Sequence, residues 1–372
     1  MTPWTYHNPV AMHFGLGALE MLPKLLAGRK ASIVAFPEAG QIGLLPRLEH
    51  LVGSSLVGVI DKTEPNPDVA GLDAMYRAFW GEQATSEVIV AVGGGSALDT
   101  AKALMVGTES GEFDALVALL ANGKPFKPHR VKKLIAIPTT SGTGSEVTAW
   151  ATIWHKAAGK KYSLHLPETW AEAAIVDPEL TLSLPARATL AAGLDALSHS
   201  LESIWNVNAN PVSDQHGVCA ARLVLATLPA LMKNLGDREL RSRMSLAAMT
   251  AGLAFSNTRT ALAHSISYDM TMRHGLPHGI ACSFTLGMVL RRAIGASAAR
   301  DEVLAKVFDV PLADAPAFLD RFLESLGVST RFESYGVSAA ESERMVLHAL
   351  DGVRGKNFIG AHAAPAKQDP IA

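Results

Sequence analysis

Asp195 and His199 stand four residues apart in GLDALSHS, a spacing that on a helix projects a carboxylate and an imidazole from one face toward one point. His264 lies in a second amphipathic stretch, and His278 sits between Pro277 and Gly279, a loop position from which an imidazole can be aimed back at the others. One carboxylate with three imidazoles suits a divalent ion such as Fe or Zn and leaves open coordination for a substrate oxygen. Singly, each residue has an ordinary reading: Asp195 as a helix ion pair, each histidine as a hydrogen-bonded core or surface imidazole. The joint pattern carries the metal reading. His155, His165 and His216 show no comparable spacing and read as structural or exposed.

A second chemistry is signalled by glycine. Val88–Val92 runs straight into Gly93-Gly94-Gly95-Ser96 and then into a helical pattern, which presents backbone N–H groups and a helix N-terminus to a pyrophosphate. The spacing is not GxGxxG, and the plain alternative is a tight strand-to-helix turn capped by Ser96 with Asp99 completing a capping box. Thr139-Thr140-Ser141-Gly142-Thr143-Gly144-Ser145 follows another strand and offers hydroxyls suited to phosphate, ribose and a nicotinamide amide; by itself it is also just a polar loop. Two such loops at successive strand ends converge on one crevice.

These residues need two kinds of support. Up to about Pro178, short Val- and Ile-rich runs alternate with amphipathic stretches, the rhythm of a parallel sheet covered by helices. Strands are expected at Ala31–Phe36, Ser55–Asp61, Val88–Val92 and Leu134–Ile137, with helices at Asp68–Trp80 and Ala97–Val106. Beyond Pro178, Ala, Leu and Met dominate at helical spacing. The expected organisation is an α/β domain over residues 1–180 and an all-α domain over 181–372, with a ligand cleft between them and a frayed end at AHAAPAKQDPIA.

Composition excludes several classes. The 372 residues are 48% hydrophobic, enough for a core in each domain, and Lys+Arg at 33 against Asp+Glu at 35 leave no field that favours nucleic acid or an anionic membrane. Cys219 and Cys282 are the only cysteines and form no CxxC, which argues against a disulfide framework or zinc knuckle. With no signal-like N-terminus and no long apolar run, a cytoplasmic location is expected.

FGLGAL (Phe14–Leu19), TEPNP (Thr63–Pro67), GGGSALDTAK (Gly93–Lys102), PTTSGTGSEVT (Pro138–Thr148), GLDALSHSLE (Gly193–Glu202) and LPHG (Leu276–Gly279) recur in the order found in the iron-containing, or group III, alcohol dehydrogenases, which this chain resembles over roughly residues 10 to 290. The resemblance implies a dehydroquinate-synthase-like fold, with an N-terminal parallel-sheet dinucleotide domain and a C-terminal helical metal domain. It implies Asp195, His199, His264 and His278 as ligands of Fe(II), or Zn(II) in some relatives. It places NAD or NADP on Asn66, Gly94, Gly95, Ser96, Thr139, Thr140, Thr143 and Lys161, with Asp99 supporting the glycine turn; Ser145 and Thr148 belong to the same expected set. Members that prefer NAD carry an acid at the end of the first strand; Phe36 stands there in this chain, with Glu38 close by, so the choice between NAD and NADP stays open. A homodimer or larger homo-oligomer is implied as well.

Two departures bear on substrate. Many relatives have a second histidine four residues after the third ligand, where this chain has Tyr268, so Tyr268 and His274 are the candidates for proton relay. Arg259 replaces a residue that is small in simple alcohol dehydrogenases, and its guanidinium suits a phosphonate, sulfonate or carboxylate. With Arg273 nearby, the segment is similar to the phosphonoacetaldehyde reductase branch; the ordinary reading of each arginine is a salt bridge. The expected reaction is reduction of a small aldehyde, with the ion as Lewis acid and hydride from the nicotinamide. The competing readings are a non-redox cyclase of the dehydroquinate synthase kind, which binds its ion through a Glu and two His, and a catalytically silent dinucleotide-binding regulator.

Overall fold

The computed structural model describes residues 3–361, so the terminal segment expected to fray lies, from position 362, outside the described residues. The chain forms two compact units. One comprises Asn8–Thr140 and Ser145–Leu184; the other comprises Ser141–Gly144 and Pro185 onward, together with the described part of Met1–His7.

The first unit is built on ten strands. β1 (Ala11–Phe14), β2 (Ala31–Ala35), β3 (Leu56–Ile60) and β4 (Val88–Gly93) are followed by β5 (Val106–Gly107), β6 (Arg130–Val131) and β7 (Lys133–Pro138), then by β8 (Trp150–His155), β9 (Lys160–His165) and β10 (Ala173–Val176). Helices α1 (Leu22–Leu26), α2 (Leu44–Val52), α3 (Val69–Glu82), α4 (Gly95–Leu104) and α5 (Asp114–Asn122) are interleaved. Six strands form one parallel sheet in the order β1-β10-β7-β4-β2-β3. β2, β4 and β10 are buried at every residue, which is why ASIVA, VIVAVG and AAIV read as continuous apolar runs and not as alternations. Ile33, Val90, Ile135 and Ile175 pack with Leu19, Leu22 and Leu48 on one face. After β3 the chain returns to the other side of β2, so strand order reverses between β2 and β4, where ligands enter open sheets of this kind.

The expected strands match β2, β3, β4 and β7 to within a residue at each end, but the strand expected to be first is second in the chain. β1 was missed because AMHF is a short edge strand with no buried residue, and β10 because AAIV is short and half alanine. The antiparallel hairpin β8–β9 was also missed. Within WATIWH and KKYSLH, polar residues and lysines interrupt the apolar pattern.

The second unit contains α6 (Ala186–Ile204), α7 (Pro211–Lys233), α8 (Arg238–Thr258), α9 (Leu262–His274), α10 (His278–Ser283), α11 (Leu286–Ala293), α12 (Ala298–Leu304), α13 (Ala315–Ser325) and α14 (Ala339–Asp351). α6 is its centre and is buried without interruption from Gly193 to Ile204, against α7, α8 and α10. Small residues permit this. Gly279 on α10 shows how tightly: a Cβ there would lie 1.8 Å from the Ala191 carbonyl oxygen of α6. α7 starts at Asn210, whose side chain accepts from the Val212 and Ser213 amides while Ser213 Oγ accepts from the Asn210 amide, with Pro211 in the first turn. No helix among the described residues is long and apolar enough to cross a membrane.

Candidate active site

The buried half of α6 presents Asp195 and His199 one turn apart, and two further elements bring imidazoles to the same carboxylate. Asp195 Oδ1 lies 3.8 Å from His199 Nε2, 3.4 Å from His264 Nε2 and 4.0 Å from His278 Nε2. His278 opens α10 directly after Pro277; the sequence reading had put it in a loop, and the close seating of Gly279 on α6 turns the position into a helix start. The His199 ring stacks between Phe255, at 4.1 Å, and His264, at 4.6 Å, and His264 meets His278 edge-on at 5.5 Å.

These donors fit a divalent ion. Among the described residues, Asp195 Oδ1 and His264 Nε2 are both buried and have no hydrogen-bond partner, an arrangement that costs free energy unless a cation completes it. Burial works against the Asp195 charge, yet His199, then His264 and His278, hold its carboxyl well below the usual range. Burial pulls His199 down to about 4 against the attraction of Asp195, so its imidazole is neutral at physiological pH, the form that ligates metals. Cys282, one turn after His278, brings its sulfur to 3.6 Å from both ring nitrogens of His278 and within the same cluster as Asp195 and His264.

Glu202, quoted within GLDALSHSLE but given no role by the sequence, orients His264. Fully buried, it accepts from the amides of Ala261 (2.9 Å) and His264 (3.2 Å), and pairs with His264 Nδ1 at 2.6 Å. It thereby caps α9, whose own N-cap Ala261 offers no side chain, and turns Nε2 toward Asp195. The available signal was the spacing: Asp195, His199 and Glu202 occur at i, i+4 and i+7 of one helix.

Arg259 ends α8 in the left-handed region, at φ 68°, with an exposed side chain. Its segment is clamped by Asn206 Nδ2 on the Arg259 carbonyl, Asn208 Nδ2 on that of Thr258, Asn357 Nδ2 on that of Thr260 and Glu202 on the Ala261 amide. Tyr268 lies one turn beyond His264 on α9, half-buried, with the Arg354 guanidinium 4.8 Å from its ring centroid. His274 closes α9 with Nε2 3.7 Å from Glu341 of α14. Arg273 lies 3.3 Å from Asp269.

In the sheet unit, β4 and β7 end level, Gly93 opposite Pro138, so their loops leave side by side. Gly93 has φ 149°, and a Cβ there would sit 2.7 Å from that of Ala97 and 3.3 Å from the Phe36 ring, which follows β2 at the reversal point. The Thr139 amide donates to the Gly93 carbonyl, and the Thr140 methyl lies 3.2 Å from where a Gly94 Cβ would be. Gly94 is the N-cap of α4, with Gly95 and Ser96 in its first turn and no side chain capping them. The capping box on Ser96 and Asp99 is therefore not formed: Ser96 Oγ accepts from the amide of Asn66, which itself has φ 58°.

Asp99 supports a different loop from the one expected. Buried, it accepts from Ser145 Oγ (2.7 Å) and the Thr152 amide (2.8 Å). Lys102, also buried, donates to the Ser145 carbonyl, Ser145 Oγ and the Trp150 carbonyl. Ser145 is thus part of a buried network, Thr148 is buried with its amide donating to the Ser145 carbonyl, and Thr143 is half-buried. Lys161, on β9, holds Nζ 5.1 Å from the Trp154 ring centroid. Of the histidines set aside by the sequence reading, His165 stacks on Trp150, His155 lies against Tyr162 and His216 against Tyr6.

Comparison with known proteins agrees with this arrangement. Residues 9–178 match the model of the iron-containing alcohol dehydrogenases, and residues 189–366 match that of the C-terminal domain of the Fe-containing alcohol dehydrogenase family. The NAD-dependent methanol dehydrogenase of Bacillus methanolicus is 30% identical over 93% of this chain and 93% of its own length. The phosphonoacetaldehyde reductase of Streptomyces viridochromogenes is 32% identical over 68% of each chain. Among solved structures, sulfoacetaldehyde reductase from Bifidobacterium kashiwanohense, in complex with NAD+, superposes with a TM-score of 0.88 at 29% identity, covering 96% of this chain and 95% of that one. Fold, donor set and sequence lead to one conclusion: the chain belongs to the iron-containing alcohol dehydrogenase family and is an alcohol dehydrogenase or aldehyde reductase that uses a nicotinamide dinucleotide and a metal.

Proposed function

We propose that this enzyme reduces a small anionic aldehyde, of the phosphonoacetaldehyde or sulfoacetaldehyde kind, with Asp195, His199, His264 and His278 holding Fe(II) or Zn(II). The observation that carries the reading is the convergence of one buried, unbonded carboxylate oxygen with three imidazole nitrogens. The bound ion supplies Lewis acidity toward a carbonyl oxygen and the dinucleotide supplies the hydride. The chain does the rest. Asp195 contributes a fixed negative charge, and Glu202 and the Phe255 stack fix the rings of His264 and His199, so the donors need no reorganisation during reaction. Asn66, Gly94, Gly95, Ser96, Thr139, Thr140, Thr143 and Lys161 are the proposed dinucleotide contacts, the N-terminal amides of α4, which no side chain caps, being suited to the pyrophosphate. Ser145 and Asp99 act by holding the loop, and Thr148 is buried close to Ser145 in sequence. Tyr268 is the proposed proton donor in preference to His274, because it stands one turn from His264 while His274 is directed at Glu341.

Phe36 offers neither a carboxylate for ribose hydroxyls nor a cation for a phosphate, so both NADH and NADPH are expected to serve. The anionic substrate class rests on the arginines near α9 and on two relatives that bear such names. The test is oxidation of NADH and NADPH by metal-loaded enzyme against neutral and anionic aldehydes. Metal-dependent turnover favouring the anionic ones is the expected result. Fast turnover of neutral aldehydes alone would remove the anionic half of the reading, and no turnover with any metal or cofactor would remove the whole.

A further inference from the structure

Two arginines flank the ligand residues, and they are held differently. At Arg259 the backbone is fixed and the side chain exposed. At Arg354 the guanidinium itself is placed: it lies half-buried over the Tyr268 ring, one helical turn from the ligand His264. Its backbone sits on a short turn with little freedom. The Asn357 amide donates to the Arg354 carbonyl, the Val207 amide to the Asn357 carbonyl and the Ile359 amide to the Trp205 carbonyl, while Phe358 is buried. On the other side, a Cβ at Gly355 would lie 2.2 Å from the Ala349 carbonyl, and Ser265 Oγ donates to that same oxygen. Position 354 is thus anchored to the end of α6 and to α9, the two elements that carry Asp195, His199 and His264.

Burial pulls the Arg354 guanidinium down to about 10, and Glu202, the carboxylate on His264 Nδ1, opposes that pull. The group stays charged, and a second anion would offset its desolvation. Reach is also suitable. Side chains one turn apart on a helix are separated by about 5–6 Å, and a two-carbon aldehyde spans on the order of 5 Å from carbonyl oxygen to anionic head, given carbon–carbon bonds of about 1.5 Å.

We propose that Arg354, seated on Tyr268, is the residue that recognises the anionic head of the substrate, a phosphonate, sulfonate or carboxylate carried next to the aldehyde, and that Arg259 is not. The inference deepens the functional reading above and rests on it. The guanidinium fork accepts two oxygens of such a head at once, and Tyr268 beneath it limits its rotamers, so one orientation of the substrate places the carbonyl toward the ligand cluster.

The experiment compares metal-loaded wild type, Arg354→Leu, Arg354→Lys and Arg259→Ala on phosphonoacetaldehyde, sulfoacetaldehyde and propanal, with methylphosphonate binding followed by calorimetry. Arg354→Leu is expected to lower the ratio of kcat/KM for anionic over neutral aldehyde about 100-fold, mostly through KM, and to abolish methylphosphonate binding. Arg354→Lys is expected to restore part of the ratio, and Arg259→Ala to move it far less. The proposal is overturned if Arg354→Leu lowers kcat/KM for both kinds of substrate equally, which marks a structural role beside Glu202, or if the ratio follows Arg259. Should wild type show neither anion preference nor methylphosphonate binding, the anionic reading of the enzyme falls and takes this proposal with it. A preference that survives Arg354→Leu removes this proposal alone.

Discussion

His264 keeps Nε2 aimed at Asp195 only if the ring is held, and what holds it is Glu202, a buried carboxylate that engages Nδ1 and two amides together. Burial opposes its charge, but His264 and those amides outweigh burial and keep it ionised. Glu202→Gln retains the shape and loses the charge, so metal affinity is expected to fall about 10- to 100-fold, read as metal content after dialysis against a competing chelator. Unchanged affinity would reduce Glu202 to a helix cap. Arg259 makes a second case. An arginine with positive φ and extended ψ costs about 1–3 kcal/mol relative to glycine, and three asparagines and Glu202 hold the segment there. Arg259→Gly is therefore expected to raise the urea midpoint of the metal-loaded protein; a lower midpoint would show that contacts of the side chain outweigh the relieved strain.

Helices and strands set these residues by close approach, which a sequence shows poorly. Gly279→Ala puts a methyl group against the Ala191 carbonyl, so α10 must move away from α6 and carry His278 with it. The expected result is a loss of about 1–3 kcal/mol of stability and a protein that purifies with less metal; full metal occupancy would mean that α10 does not need this seat. Beneath the β7–β8 loop, one buried cation, Lys102, faces two buried acids, Asp99 and Glu146, and burial pushes Glu146 up to about 7 while its own amide and Lys102 pull it back. A raised folded-state value means that the proton binds better in the folded chain. The contribution is full below the ordinary value of 4.5 and is lost as pH rises through about 7. The loss amounts to about 3 kcal/mol from a shift of that size, and Glu146→Gln should flatten this limb of a stability–pH curve; an unaltered slope would place the proton elsewhere. Such features mark the limit of what the sequence made legible. Asp195, His199, His264 and His278 were readable because helical spacing and residue type are local facts, as were the Val- and Ile-rich central strands. Glu202, Cys282 and Arg354 were not: each acts through a partner far along the chain. The alternative of Ser96 as a cap fails because capping depends on which residue enters the helix first, and here that is Gly95.

At the scale of the whole chain, the two compact units divide the chemistry: Asp195, His199, His264 and His278, the proposed ligands, all belong to the helical unit, and the glycine turn and β7 end belong to the sheet unit. The first calls for a cation, since among the described residues Asp195 Oδ1 and His264 Nε2 are buried without a hydrogen-bond partner. The glycine turn of the second is complete without one, its amides being supplied by backbone alone. Binding of an ion to the folded state alone raises stability by mass action, about 2.7 kcal/mol at a free concentration a hundred times its Kd. Chelation should therefore lower the unfolding midpoint and abolish turnover, while binding of NADH, followed by its fluorescence, persists. Asp195→Asn should imitate chelation and gain little from added metal, because the buried oxygen that needed a cation no longer carries the charge. If NADH binding were lost with the metal, the sheet unit would not be the self-sufficient dinucleotide site inferred from its backbone. If added metal stabilised Asp195→Asn as much as wild type, the ion would sit somewhere other than among these four residues.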